Sequence, residues 1–137
     1  MKYFKRAAIY KNYNGNNEFN PEKVEAYSYR WWKYVTVVDG LVLFNNYYYS
    51  PTTCKHQHET RRLMEELGIQ IDLTLEVPCG FQDANWIEET AKHYQNKIDE
   101  LDKLIAKPRT HKKKNKERLE QRTALHAFKL RVINFAA

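Results

Sequence analysis

The chain has 137 residues, 42% hydrophobic and 29% charged, with only four Gly and four Pro. That composition fits one compact domain, or a small domain with an arm, and argues against disordered and fibrous classes. The formal net charge of +6 is unevenly held: residues 1–106 carry 13 Lys/Arg against 15 Asp/Glu, a net of −2, and residues 107–137 carry 10 against 2, a net of +8. No apolar run approaches the roughly 20 residues that span a bilayer. The start of the chain is basic (Lys2, Lys5, Arg6) without an apolar run, so no secretory signal is expected.

In chain order, Lys2 to Lys11 reads as a strand rich in aromatic and apolar residues. Asn12 to Lys23, with five Asn, one Gly and one Pro, reads as a long turn. Val24 to Val38 reads as one long strand. Tyr27, Tyr29, Trp31, Val35 and Val37 fall on one face, and Ala26, Ser28, Arg30, Trp32 and Tyr34 on the other. Asp39-Gly40 between two apolar runs is a strong hairpin signal, and Leu41 to Tyr49 is expected to pair back as a third strand.

Ser50-Pro51 opens a helix, because Ser is a favoured N-cap and Pro at the first position gives up a backbone N–H that would be unpaired anyway. It is expected to run to Leu67, with Gly68 in the left-handed position behind it and an inward stripe of Thr53, His56, Thr60, Leu63, Met64 and Leu67. Ile69 to Val77 alternates apolar and polar residues as a half-buried strand does. Asp83 caps a helix to Ala106, with a seam of Ile87, Ala91, Tyr94, Ile98, Leu101 and Ile105. Pro108 stops it. Lys116 to Ile133 is helical again, with a seam of Leu119, Thr123, His126, Leu130 and Ile133 and a second apolar row of Leu125, Phe128 and Val132.

The expected fold class is α+β: a four-stranded, mainly antiparallel sheet of order β-β-β-α-β, followed by a C-terminal antiparallel helical hairpin. Residues 1–82 are expected to form the sheet domain and 83–137 the hairpin with its basic tip, together as one folding unit. The turn of the hairpin coincides with the basic block.

Two constellations offer chemistry. The basic tip of Lys107, Arg109, Lys112, Lys113, Lys114, Lys116 and Arg118 suits a phosphate backbone, which binds such clusters mainly by releasing condensed counterions. No base-reading motif accompanies it, so no strong sequence specificity is expected. The second is the start of the 50–67 helix. Ser50, Thr52, Thr53, Lys55 and His58 form an anion-binding candidate there, with Tyr47, Tyr49 and Trp32 as stacking candidates. The same residues also serve as caps and packing.

His56 and His58 are catalytic candidates of a small nuclease, but they lie two positions apart and so point to different helix faces. Asp72 and Glu76 alternate on the wet face of their strand and are read as solvated. There is no phosphate-binding loop, dinucleotide fingerprint or CxxC pair, so neither cofactor nor metal is expected. Cys54 and Cys79 are read as thiols of a reducing cytoplasm.

Around Tyr49-Ser50-Pro51-Thr52-Thr53-Cys54-Lys55-His56-Gln57 the sequence resembles small bacteriophage proteins, as do its richness in Asn, Lys and Tyr and its basic C-terminal hairpin. The resemblance implies an early phage protein that binds nucleic acid or blocks a host enzyme. The expected function is therefore a small cytoplasmic, non-enzymatic protein that binds DNA or RNA through the basic tip. The alternatives are a module that inhibits a host or defence protein, with homodimerisation through its seam also open, and the histidine nuclease.

Overall fold

The structure, a computed structural model, describes residues 9–12, 16–106 and 112–135. The chain divides into two compact units, Met1–Trp86 and Ile87–Ala137.

The first unit is a six-stranded sheet whose spatial order repeats the chain order. Its strands are β1 (Tyr10–Asn12), β2 (Asn17–Asn20), β3 (Glu25–Ser28), β4 (Trp32–Val38), β5 (Leu41–Asn45) and β6 (Leu73–Leu75). The first five pair as an antiparallel meander, and β6 joins β5 in parallel. The α+β class and the mainly antiparallel sheet stand, while the count of four strands is corrected to six.

Two features of the chain account for the difference. The Asn-rich stretch expected to be a loop contains β2, where Phe19 is fully buried and Asn17 nearly so. The long strand expected over Val24–Val38 is broken at Tyr29–Trp31. There Tyr29 (φ 54°) and Arg30 (φ 66°) both take left-handed backbone, and the Trp31 N–H donates to Ser28 O at 3.3 Å. This is the geometry of a primed hairpin turn, which favours Asn and Gly, so nothing in the composition marks it. The expected Asp39-Gly40 turn is present, with φ of 53° and 75° between the paired residues Val38 and Leu41. The expected first strand is seen at Tyr10–Asn12; residues 2–8 lie outside those described.

The sheet is organised by one row. Tyr10, Phe19, Ala26, Val35 and Phe44 are successive partners across β1 to β5. Four of them, Phe19 to Phe44, have no solvent exposure. Val35 reaches this row through a bulge: Ala26 pairs with Val35 but Tyr27 pairs with Lys33, so Tyr34 is an extra residue on β4. The simple alternation expected for this segment therefore fails, and Val35 shares the face of Ala26, Trp32 and Tyr34.

Helix α1 (Pro51–Glu66) covers the row with Leu63 and Met64, joined by Leu67 and Ile69 just beyond its end. All six residues of the expected inward stripe are buried. The helix ends as its sequence dictates. Gly68 (φ 74°) donates to Glu65 O at 3.1 Å and Ile69 N donates to Met64 O at 2.8 Å, which satisfies two terminal carbonyls. Strand β6 is shorter than the alternation of Ile69–Val77 suggested, and side chains hold its two ends. Asp72 exchanges bonds with Val42, its carboxylate accepting Val42 N at 2.7 Å while its own N–H donates to Val42 O at 2.9 Å. Asn45 bonds both backbone groups of Val77.

The second unit is an antiparallel helical pair. Helix α2 is Trp86–Ile105 and α3 is Lys112–Asn134. Tyr94 stacks on Phe128 at 5.8 Å, Lys129 donates to Gln95 and Arg122 donates to Asp102, each at 2.7 Å. The expected seam of α3 is reversed. Leu119, Thr123, His126, Leu130 and Ile133 are exposed, whereas Leu125 and Phe128 are half-buried and Val132 is fully buried. Both rows satisfy helical spacing. The exposed one carries Thr123 and His126 at its middle, whose polar groups would cost free energy to bury. No helix among the described residues is long and apolar enough to cross a membrane.

Candidate functional site

The start of α1 is a closed polar network rather than an open cradle. The Ser50 hydroxyl accepts Thr53 N at 3.1 Å, as an N-cap does. Thr53 Oγ1 lies 2.9 Å from Ser28 Oγ, which in turn lies 2.8 Å from His56 Nδ1. One turn further on, the Tyr34 hydroxyl donates to Asn17 Oδ1 at 2.5 Å and lies 2.6 Å from Thr60 Oγ1. Ser28, Thr53, His56 and Thr60 have no solvent exposure. Of the anion-binding candidates, Ser50 and Thr53 are thus engaged by the fold, Thr52 is half-buried, and Lys55 and His58 are exposed.

Burial pushes the His56 imidazole below the ordinary histidine range, so it is neutral at pH 7. The Ser28–His56 contact has the length of a nucleophile–base pair, but both residues are sealed from solvent and the Tyr29 ring packs 5.6 Å from the imidazole. Such a pair acts only where a substrate atom can reach the hydroxyl. His58 is exposed on a different face. On the strand face, Asp72 serves the β5–β6 junction. Among the described residues no group of three or more His, Cys, Asp or Glu is placed to hold a metal ion. Cys54 and Cys79 are not joined by a disulfide.

The β3–β4 turn and the β5–α1 loop meet at one end of the sheet and expose aromatic rings. Tyr29, Trp31, Tyr48 and Tyr49 are 38%, 50%, 62% and 45% exposed, four of the nine large hydrophobic side chains that stand out among the described residues. Tyr49 stacks on the buried Trp32 at 5.2 Å with 28° between planes, and Trp31 meets Tyr49 edge-on at 6.2 Å. The stacking candidates therefore divide. Tyr49 is accessible and Tyr47 is half-buried. Trp32 is fully buried, stacked on Tyr34 and Tyr49, with its Nε1–H donated to Pro78 O at 3.3 Å. It has no face to offer a base. Tyr29 and Trp31 escaped the sequence reading because they were placed inside a continuous strand. The Asn-Gly type of signal that would have exposed the turn is missing there.

The basic block is seen in part. Lys107 and Arg109 lie outside the described residues; Lys112 and Lys113 fall on the first turn of α3, and their side chains are not described. Lys114 and Lys116 are exposed, and Arg118 is half-buried with its guanidinium 3.5 Å from Asn115 Oδ1. The helical pair also has a groove of about 410 Å³ lined by Leu101, Leu104, Ala124 and Leu125 together with the polar Lys97, Glu100 and Gln121.

Compared with protein-family models, with curated proteins and with solved structures, the chain matches none.

Proposed function

We propose that the protein binds nucleic acid through the sugar–phosphate backbone, without strong sequence specificity, and does so in the reducing cytoplasm. The observation that carries this is the concentration of charge. Residues 107–137 hold +8 while the rest of the chain holds −2, and Lys114 and Lys116 at the start of α3 are exposed. Seven cations within Lys107–Arg118 face one acid, Glu117. A solvated helix needs no such excess, whereas a polyanion is attracted by it. Each phosphate neutralised lowers the slope of log affinity against log salt by about 0.7 to 0.9. A salt titration with labelled DNA and RNA of mixed sequence is expected to give a slope of about −3 to −5 for four to six contacts. It is expected to show little change when the sequence is scrambled. A flat response, or no binding at low salt, removes the proposal.

A second reading is a protein-interaction module. It is favoured by the exposed row Leu119, Leu130 and Ile133 on α3 and by the neighbouring apolar groove. A pull-down that yields one partner surviving nuclease treatment supports it over the first reading.

A further inference from the structure

We infer that the aromatic end of the first unit is a stacking site for the bases of single-stranded nucleic acid. The inference rests on the polyanion reading only for the class of ligand; the site itself stands on separate residues. Trp31 and Tyr49 present rings that are about half exposed and already held in place, Tyr49 by its stack on Trp32 and Trp31 by its edge contact with Tyr49. Rings fixed in advance lose little freedom on binding, and every base has a π-face, so such a platform takes any sequence.

Charge points to the same ligand. The turn and loop that carry the rings, residues 26–38 and 46–58, contain Arg30, Lys33 and Lys55 and no Asp or Glu, while the 78–83 loop bonded to Trp32 and Lys33 adds one acid, Asp83. Lys33 is bonded to Glu25 at 2.7 Å, which leaves Arg30 and Lys55, both exposed and neither in an ion pair among the described residues. The unit as a whole is neutral, with ten Lys/Arg and ten Asp/Glu in residues 1–86. The local excess therefore sits where the aromatic rings are. Bases paired in a duplex keep their faces to each other, so the platform discriminates for single strands.

The turn itself is costly. Tyr29 and Arg30 hold left-handed backbone that Asn or Gly would adopt more easily. The strain coincides with the residues that carry the ring and the charge to the surface, the association expected of a binding site.

The test uses the full chain and four labelled probes of one length: oligothymidylate, oligouridylate, a blunt DNA duplex, and an abasic deoxyribose-phosphate oligomer. The expected result is binding of the base-containing single strands about tenfold or more tighter than the abasic one, since stacking is worth that much per base. Trp31→Ala is expected to erase most of this preference and leave the salt slope unchanged. A Lys114→Ala, Lys116→Ala double variant is expected to flatten the slope and keep the preference. Tyr49→Leu serves as a second probe of the platform, its fold checked by circular dichroism. Equal binding of abasic and base-containing strands overturns the inference, as does Trp31→Ala binding like the wild type; either outcome assigns the rings to a protein contact instead. Should no probe bind at any salt, the backbone-binding proposal falls and takes this inference with it. The two DNA and RNA single-strand arms show which sugar the site prefers.

Discussion

Arg30 illustrates how one residue serves surface and fold in opposite directions. Its left-handed backbone costs about 1–2 kcal/mol for a residue with a Cβ, and its side chain is exposed. Arg30→Gly is therefore expected to raise the unfolding free energy by about 0.5–1 kcal/mol, the strain relieved less the added freedom of glycine in the unfolded chain. The same substitution is expected to weaken oligothymidylate binding, because it removes a cation beside Trp31. Urea unfolding and binding measured on one preparation check both signs. His56 gives a pH signature. Its folded-state pKa lies below the ordinary value of about 6.5, so the unfolded chain takes up the proton first. Its contribution to stability is full above that ordinary value and drains as pH falls from there through the folded-state value. The gap in urea midpoint between wild type and His56→Asn, which keeps an acceptor near Ser28, is expected to shrink between pH 7.5 and 5.5. A constant gap would mean that the fold tolerates the imidazolium. The inward placement of His56 was legible from its spacing with Thr53 and Thr60. Its partner Ser28 was not, since a contact across 28 residues depends on a strand register that sequence does not print.

At the scale of elements, the C-terminal end of the β5–β6 link depends on one side chain. Asn45 is fully buried, accepts from Val77 N at 2.9 Å and Tyr47 N at 3.0 Å, and donates to Val77 O at 2.8 Å; its own carbonyl accepts from Gln57 Nε2 at 2.7 Å. Asn45→Ala leaves three backbone groups without their partner and is expected to cost about 2–3 kcal/mol. Asn46→Ala, one residue on and exposed, is expected to change stability by less than about 0.5 kcal/mol. A difference in thermal midpoint between the two variants reads this directly. The pair also shows why elements differed in legibility. Helix α1 announced itself at both ends, by Ser50-Pro51 and by Gly68. Strand β2 and the C-terminal end of β6 rest on buried Asn17 and Asn45, residues that composition assigns to turns. The α3 seam was misread for a related reason: two rows share the helical period, and only the partner helix selects between them.

At the scale of the molecule, core and charge are unequally divided. Fourteen of the seventeen buried hydrophobic residues among those described belong to the first unit, and three (Tyr94, Ile98 and Val132) to the second. Trp31 and Trp32 belong to the sheet and Trp86 stands at the start of α2, whereas α2 and α3 supply 20 and 23 helical residues against 16 in α1. Emission from Trp31 and Trp32, read in a Trp86→Phe variant, therefore follows the sheet, and ellipticity at 222 nm mostly the helical pair. With less apolar surface removed from water, the pair is expected to melt at lower urea, so ellipticity falls before emission shifts. Coincident curves would show one cooperative unit instead. The charge division was readable from the sequence in full, since counting needs no fold, but the aromatic platform needed the turn at Tyr29–Trp31 before it could be seen.

The agreement of sheet order with chain order also bears on how the protein is made. Each of β2 to β5 pairs with the strand immediately before it, so during synthesis each of them meets a partner already present, and loop closure between them is short. Only β6 must return across a helix, about 30 residues after the strand it joins, as the Val42–Asp72 bond records. The meander is thus expected to form first on the ribosome. Docking of β6, with Asp72 and Asn45 closing its two ends, is expected to follow and complete the sheet.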